Sequence, residues 1–274
     1  MTEAVRSESP LTGDVAPITD KIRVEGVSYR YRRRRREDVV ALDDVDLTVG
    51  RGEFLSVVGP SGCGKSTLLR VLAGLQKPTD GVVRIHHQHR DRPLVAPVFQ
   101  EYSIFPWHTV EANVRLGLDA AGVDRSEARR RAQEWIERVG LTGFEKALPG
   151  NLSGGMKQRV ALARAFVVEP EILLMDEPFA ALDAQLRKVL QEELLAIVRE
   201  HNHTVFFVTH NLDEAILLSD RIALMSARPG RIRRIVDVPF ARPRTAELRK
   251  DPEFSRLEED LWADLKGDVE EVVQ

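Results

Sequence analysis

The run Gly59-Pro60-Ser61-Gly62-Cys63-Gly64-Lys65-Ser66-Thr67 constrains this chain more than any other stretch. It fits G-x-x-x-x-G-K-[ST]. It follows a short apolar segment, Phe54 to Val58, and opens another, Ser66 to Leu75. A buried strand, a glycine-rich turn and a helix in that order make a cradle for phosphate. Glycines let backbone N–H groups curl around an anion with no Cβ in the way. The helix N-terminus adds the positive end of a dipole. Lys65 can reach the outer phosphates of a nucleotide as a mobile point charge, and the Ser66 hydroxyl can coordinate Mg²⁺. A chance match in a chain of 274 residues has odds on the order of one in a hundred. Cys63 sits near a helix start, where a thiol can be acidified and reactive. The plainer reading is a small spacer, and it is preferred because the loop works through backbone atoms.

A second segment supplies what such a loop needs. Ile172-Leu173-Leu174-Met175-Asp176-Glu177 reads as a buried strand ending in two carboxylates. An acid at the end of a buried strand is costly unless it meets a cation. Asp176 can hold Mg²⁺, directly or through water, and Glu177 is suited to polarise an attacking water as general base. Alone, an Asp-Glu-Pro step is more often a strand end and turn; beside the phosphate loop the functional reading wins. His210 ends another apolar strand, Thr204 to His210. A parallel sheet would place these strand ends along one edge, so His210 can face the outermost phosphate. His86, His87 and His89 cluster after a strand, but adjacent residues point to opposite faces, which argues against a shared metal.

The chain between these motifs alternates strands with helices. Strands are expected over 21–31, 39–49, 54–58, 171–176, 204–209, 221–226 and 231–238, with strand-like pieces over 82–99. Helices are expected over 66–75, 109–140, 153–168, 184–200 and 212–219. That rhythm implies a parallel sheet covered by helices, with a helical insertion in the middle. Ala128, Ala132, Trp135, Ile136 and Val139 share one helix face, which makes Trp135 a packing residue. Residues 244–274 carry five basic and ten acidic side chains, and Phe254, Leu257, Leu261 and Leu265 recur at helical steps. This amphipathic tail either packs on its own domain or is offered to a partner. Arg32 to Arg36 read as a solvated loop at a hairpin, or as a contact for lipid headgroups or a partner.

Composition excludes several classes. Hydrophobic residues at 43% and charged residues at 30% describe a globular chain rather than a disordered one. The net charge of −3 provides no global basic field for nucleic acid. A single cysteine excludes an intrachain disulfide framework. No apolar run approaches the roughly 20 residues of a membrane span. The first residues are polar, unlike a secretory signal. An intracellular protein is expected, one that reaches a membrane only by recruitment to another chain.

Leu152-Ser153-Gly154-Gly155-Met156-Lys157-Gln158-Arg159, followed by Ala161-Leu162-Ala163-Arg164-Ala165, resembles the signature helix of ABC transporter ATPases. The order of motifs is similar as well: phosphate loop, Gln100, signature, Asp176-Glu177, the Ala180-Ala181-Leu182-Asp183 turn and His210. The resemblance covers residues 20–238. It implies an α/β fold of the P-loop NTPase kind, with a RecA-like parallel core, an antiparallel β subdomain and a helical insertion. Expected limits are a loose tail over 1–19, an ATPase domain over 20–238 with its helical subdomain at about 101–168, and an acidic helical tail over 239–274. The resemblance also implies ATP and Mg²⁺ as cofactors, with two copies pairing head to tail. Ser153, Gly154 and Gly155 of one copy would cap the phosphate held by Lys65 of the other. In isolation Ser153 reads as an N-cap. By the same resemblance Tyr31 stacks on adenine, with Tyr29 close enough to compete. Gln100 senses Mg²⁺ and links the site to membrane subunits, and Asp183 communicates across the dimer. Ala180 stands where many relatives have Ser.

Phe99-Gln100-Glu101, Pro106-Trp107, Thr109 to Val114 and Met225 to Ile232 look like the nitrate/sulfonate/taurine import branch. Pro106-Trp107 equally fits a helix start with a packed indole. The implied function is the ATP-hydrolysing subunit of a bacterial importer of small anions, peripheral on the cytoplasmic face of the membrane. Its partners would be two transmembrane permeases and, indirectly, a solute-binding protein, without nucleic acid. The alternatives are an exporter or lipid-transport ATPase with separate permeases, or a soluble ABC ATPase. Only 52 residues separate Gln100 from Ser153, which leaves no room for the long coiled coils of chromosome-type members.

Overall fold

The computed structural model describes residues 20–32, 37–88 and 92–273. The expected N-terminal tail, four of the five arginines in the 32–36 run and His89 lie outside the described residues. Strands β1 (Asp20–Tyr31) and β2 (Val39–Gly50) pair antiparallel as a hairpin. A second sheet holds β3 (Phe54–Val58), between helix-linked neighbours, and the strand β4 (Asp80–Ile85) adds to the free edge of β1 in the first. The strand-like stretch over 82–99 is thus divided: β4 joins the hairpin, and β5 (Val95–Val98) joins the main sheet. Propensity alone does not tell which sheet a short strand enters, because burial by long-range partners decides it.

The main sheet continues with β6 (Ile172–Asp176), β7 (Thr204–Thr209), β8 (Arg221–Met225) and β9 (Ile232–Asp237), in the order β5-β6-β7-β3-β8-β9. The first five strands in that order are parallel and β9 closes the edge antiparallel. β3, β6 and β7 are buried along their whole length, as parallel strands covered on both faces must be. The one polar side chain inside β3, Ser56, is hydrogen-bonded to the Ser219 hydroxyl. Alternate residues then serve two cores. Phe54, Leu173, Met175 and Phe207 face the helical insertion. Leu55, Val57, Leu174 and Phe206 face the hairpin sheet and helix α1 (Lys65–Leu72).

The helical insertion contains α2 (Val110–Ala120), α3 (Arg125–Arg138) and α4 (Gly154–Phe166). The single helical stretch expected over 109–140 is two helices. Thr109 caps the first by accepting from the Ala112 N–H, and Asp124 caps the second by accepting from Ser126 and Glu127. The expected face of α3 is buried, and Trp135 stacks on Phe166 with ring centroids 5.2 Å apart. Trp107 is not a packed indole: it is 69% exposed, and the helix begins after it. Helices α5 (Ala184–His201) and α6 (Leu212–Leu218) follow β6 and β7.

The C-terminal segment is less helical than its pattern suggests. Residues Ala246–Lys250 form a 3-10 turn, and helix α7 (Pro252–Val273) starts only at its proline. Phe254, Leu261 and Leu265 are buried against α6 and β8 in a third core. Its acidic surplus meets arginines of β9: Arg234 pairs with Asp260 at 3.1 Å and Asp264 at 2.6 Å, and Arg233 with Asp268 at 2.7 Å. The amphipathic face is therefore covered by the chain's own domain. Among the described residues no helix is long and apolar enough to cross a membrane. Leu261→Ala should cost about 2–5 kcal/mol by denaturant titration, whereas Trp262→Ala, on the half-exposed side of α7, should stay within about 0.5 kcal/mol.

Candidate active site

Neighbouring parallel strands carry the motifs to one edge. In register, Val58 pairs with Thr209, and Val208 with Asp176. The turn after β3, His210 after β7 and Glu177 after β6 therefore leave the sheet side by side, at the carboxyl ends where open α/β sheets bind ligands. They border a cavity of about 430 Å³, lined among others by Tyr31, Ser61, Gly62, Gly64, Lys65, Ser66, Thr67, Gln100, Glu177, His210 and Arg228.

The turn is built around its lysine. Gly64 has φ of 119°, and a Cβ there would lie 2.6 Å from the Ala41 carbonyl oxygen, so no other residue fits. Lys65 is only 6% exposed. Its ammonium donates to the carbonyls of Gly59 at 2.7 Å and Pro60 at 2.9 Å, and lies 3.8 Å from Cys63 Sγ. None of these partners is a carboxylate, so a buried positive charge at the loop is left for an anion to neutralise. Gly59 and Pro60 stand behind that charge rather than on the cavity wall. Burial pushes the Cys63 thiol up, against the pull of Lys65, and the residue is 1% exposed. That is an inert spacer, not a reactive thiol.

Asp176 ends β6 at 3% exposure and accepts from the Ser66 hydroxyl at 3.1 Å. Burial pushes its carboxyl above the usual range, and the Ser66 bond only partly opposes this. A desolvated carboxylate beside a hydroxyl is a hard-oxygen pair of the kind Mg²⁺ takes, so the residues fit that ion. Glu177 holds φ of 48°, unusual for a non-glycine residue. Its N–H donates to Val208 O at 2.9 Å, and its carbonyl accepts from Ala180 at 3.2 Å, which fixes the turn. The carboxylate so aimed meets His210 Nδ1 at 3.1 Å and accepts from Gln100 Nε2 at 3.4 Å. Two residues from distant parts of the sequence, Gln100 and His210, thus share the Glu177 carboxylate.

Tyr31 lines the cavity, and its hydroxyl is 3.0 Å from Thr67 Oγ1. Tyr29 stacks edge-on against Tyr31 at 4.9 Å and packs on the hairpin core instead. Ser153, Gly154, Gly155 and Asp183 are not brought to this cavity. Ser153 caps α4 by accepting from Met156 N–H at 3.3 Å. Asp183 caps α5 by accepting from Gln185 at 3.1 Å and Leu186 at 3.0 Å. His87 faces Glu171 at 3.3 Å, away from the cavity wall. Two residues had no assigned role in the sequence. Asn113, fully buried, donates to the carbonyls of Phe105, His108 and Thr109 and accepts from Phe105 N–H, which shapes the segment after Gln100. Arg228 lines the cavity and reaches the phosphate loop from a turn after β8, a position that no spacing rule connects to Lys65.

Known proteins resemble the chain along most of its length. A family model described as ABC transporter matches residues 42–180. An uncharacterised ABC transporter ATP-binding protein of Methanocaldococcus jannaschii is 48% identical over 253 residues, which is 91% of this chain and 92% of that protein. The aliphatic sulfonates import ATP-binding protein SsuB of Bacillus licheniformis is 50% identical over 211 residues, 76% of this chain and 82% of that one. The bicarbonate transport ATP-binding protein CmpD of Synechocystis is 43% identical over 242 residues, 85% of each. Among solved structures, a dimeric ATP-binding cassette in a post-hydrolysis state, bound to ADP and Pi, superimposes with a TM-score of 0.73 at 33% identity, over 80% of this chain and all of that one.

Proposed function

The chain belongs to the ABC transporter family as an ATP-binding ATPase, and from that premise we propose that it drives import of a small anion through separate permease subunits. The observation that carries the ATPase assignment is the convergence of Lys65, the Ser66–Asp176 pair and the Glu177–His210–Gln100 cluster on one cavity. Backbone N–H groups of the loop and the Lys65 ammonium hold the phosphates, and Tyr31 stacks on the base. Ser66 and Asp176 hold Mg²⁺, which supplies positive charge to the phosphate oxygens when bound. Glu177 takes the proton of the attacking water, with His210 and Gln100 holding its carboxylate from two sides.

Ser153, Gly154 and Gly155 of a second copy complete the site from the opposite side. A serine hydroxyl and free N–H groups at a helix start form an anion site, and these residues are unused by their own chain's cavity. Asp183 then faces the partner copy. The domain limits proposed are 20–238 for the ATPase domain, with a helical subdomain at about 101–168, and 239–274 for the tail. Import is supported by the sulfonate-import relative, and a small anion as cargo by that relative and the bicarbonate-transport one. The protein would sit peripherally on the cytoplasmic face of the membrane.

Lys65→Ala should lose nucleotide affinity, about tenfold or more for a buried charge-assisted contact. Glu177→Gln should bind ATP but hydrolyse it at least about a hundredfold slower. Nucleotide titration and phosphate release measure the two; unchanged affinity in the first or near-normal turnover in the second overturns the respective role. Tagged Glu177→Gln drawn from native membranes with ATP should bring a multi-span permease and no ribosomal or DNA-repair protein. The reverse result removes the transport assignment and leaves the ATPase chemistry.

A further inference from the structure

The turn joining β8 to β9 is wedged between the phosphate loop and β2. It is held on both sides. Ser226 Oγ accepts from Arg231 N–H at 3.1 Å, and donates toward the Ala227 and Pro229 carbonyls at 3.0 and 3.1 Å. Gly230 N–H donates to Ala41 O at 3.0 Å, and Asp43 N–H returns to Gly230 O at 3.1 Å. Gly230 lies so close to the loop that a Cβ would fall 2.3 Å from the Cys63 carbonyl oxygen. From this fixed base Arg228 extends over the loop. Its guanidinium donates to the Gly62 carbonyl through Nε at 3.2 Å and Nη2 at 2.9 Å, and it lines the same cavity as Lys65.

We propose that Arg228 is a positioning residue for the nucleotide: it pins the Gly62–Cys63 peptide in the orientation that presents the loop to phosphate, and it places a second cation on the cavity wall. The inference rests on the reading of the loop as the ATP site. In a trans peptide the N–H points opposite to the C=O. Holding Gly62 O outward therefore turns the Cys63 N–H into the loop, where it now points at Pro60 O, 3.4 Å away. That N–H, like Lys65, is engaged by the loop's own carbonyls and is free to exchange them for phosphate. A left-handed glycine at 62, with φ of 74°, would otherwise let this peptide rotate. The planar fork of Arg, with two donors on one oxygen, fixes an orientation that a single ammonium does not. Arg228 itself is exposed, and among the described residues its guanidinium bonds only to Gly62 O, so its contribution lies at the site rather than in the stability of the fold.

The test compares wild type, Arg228→Gln and Arg228→Lys in full-length protein, with fluorescent ATP-analogue titration, steady-state ATPase assays and nucleotide-free thermal unfolding. Arg228→Gln should weaken nucleotide binding about tenfold, with KM for ATP rising more than kcat falls. Arg228→Lys should recover only part of the loss, and the nucleotide-free unfolding temperature should move little. An affinity within twofold of wild type in Arg228→Gln, full recovery in Arg228→Lys, or a fall in nucleotide-free unfolding temperature that accounts for the lost binding overturns the proposal. If wild type itself binds no nucleotide, the reading of the loop fails, and this proposal with it.

Discussion

Three parallel strands whose carboxyl ends finish level, β6, β7 and β3, bring a lysine, an aspartate, a glutamate and a histidine to one edge although 144 residues of chain lie between the first and the last. A parallel pair is only stable with both faces covered, so this register depends on the helical insertion on one side and the hairpin sheet with α1 on the other. Slipping one strand by a residue would turn its core side chains to the wrong layer. The same slip would take Asp176 away from Ser66 and Glu177 away from His210. Packing and chemistry are thus fixed by one alignment, and the buried, unneutralised Lys65 is its chemical consequence.

The tail is tied to that edge through the helix that follows His210. Thr209 Oγ1 donates to the buried Glu214 at 2.9 Å, and Gln191 of α5 donates to the same carboxylate at 3.2 Å. Arg249, ahead of α7, pairs with Asp213 through Nη2 at 2.6 Å and reaches Gln191 at 3.5 Å. Burial pushes the Glu214 carboxyl up, with the Thr209 bond opposing it. The segment from 244 onward therefore braces α5 and α6, the helices that start at Asp183 and beside His210. Three of its acids, Asp260, Asp264 and Asp268, pair with arginines of β9, and Trp262 on the same helix stays half-exposed.

Much of this was legible in the sequence, for physical reasons. Strands buried on both faces read as unbroken apolar runs, as with Phe54–Val58 and Thr204–Thr209, and their ends are then marked by the charges that function needs. The face of α3 was legible because helical period and burial agree. What escaped was tertiary. The split of 109–140 is local turn chemistry at Gly122 and Asp124 inside a continuous polar-apolar rhythm. The exposure of Trp107 depends on where α2 starts, and the division of 82–99 depends on which sheet has an open edge. Arg228 and Asn113 act through backbone carbonyls, and no residue pattern announces such a partner. Ser153 and Asp183 show the opposite limit: within one chain they are only helix caps, and the motif resemblance assigns them to a surface the single chain does not complete.

Completion of the site by Ser153, Gly154 and Gly155 of a second copy ties nucleotide binding to dimerisation, and sedimentation velocity of Glu177→Gln with and without Mg²⁺ and ATP measures that link. The protein should be a monomer without nucleotide and a stable dimer with it, the dimer lost in Ser153→Glu. A protein that binds ATP yet remains monomeric at every concentration, or a dimer indifferent to Ser153→Glu, would contradict it.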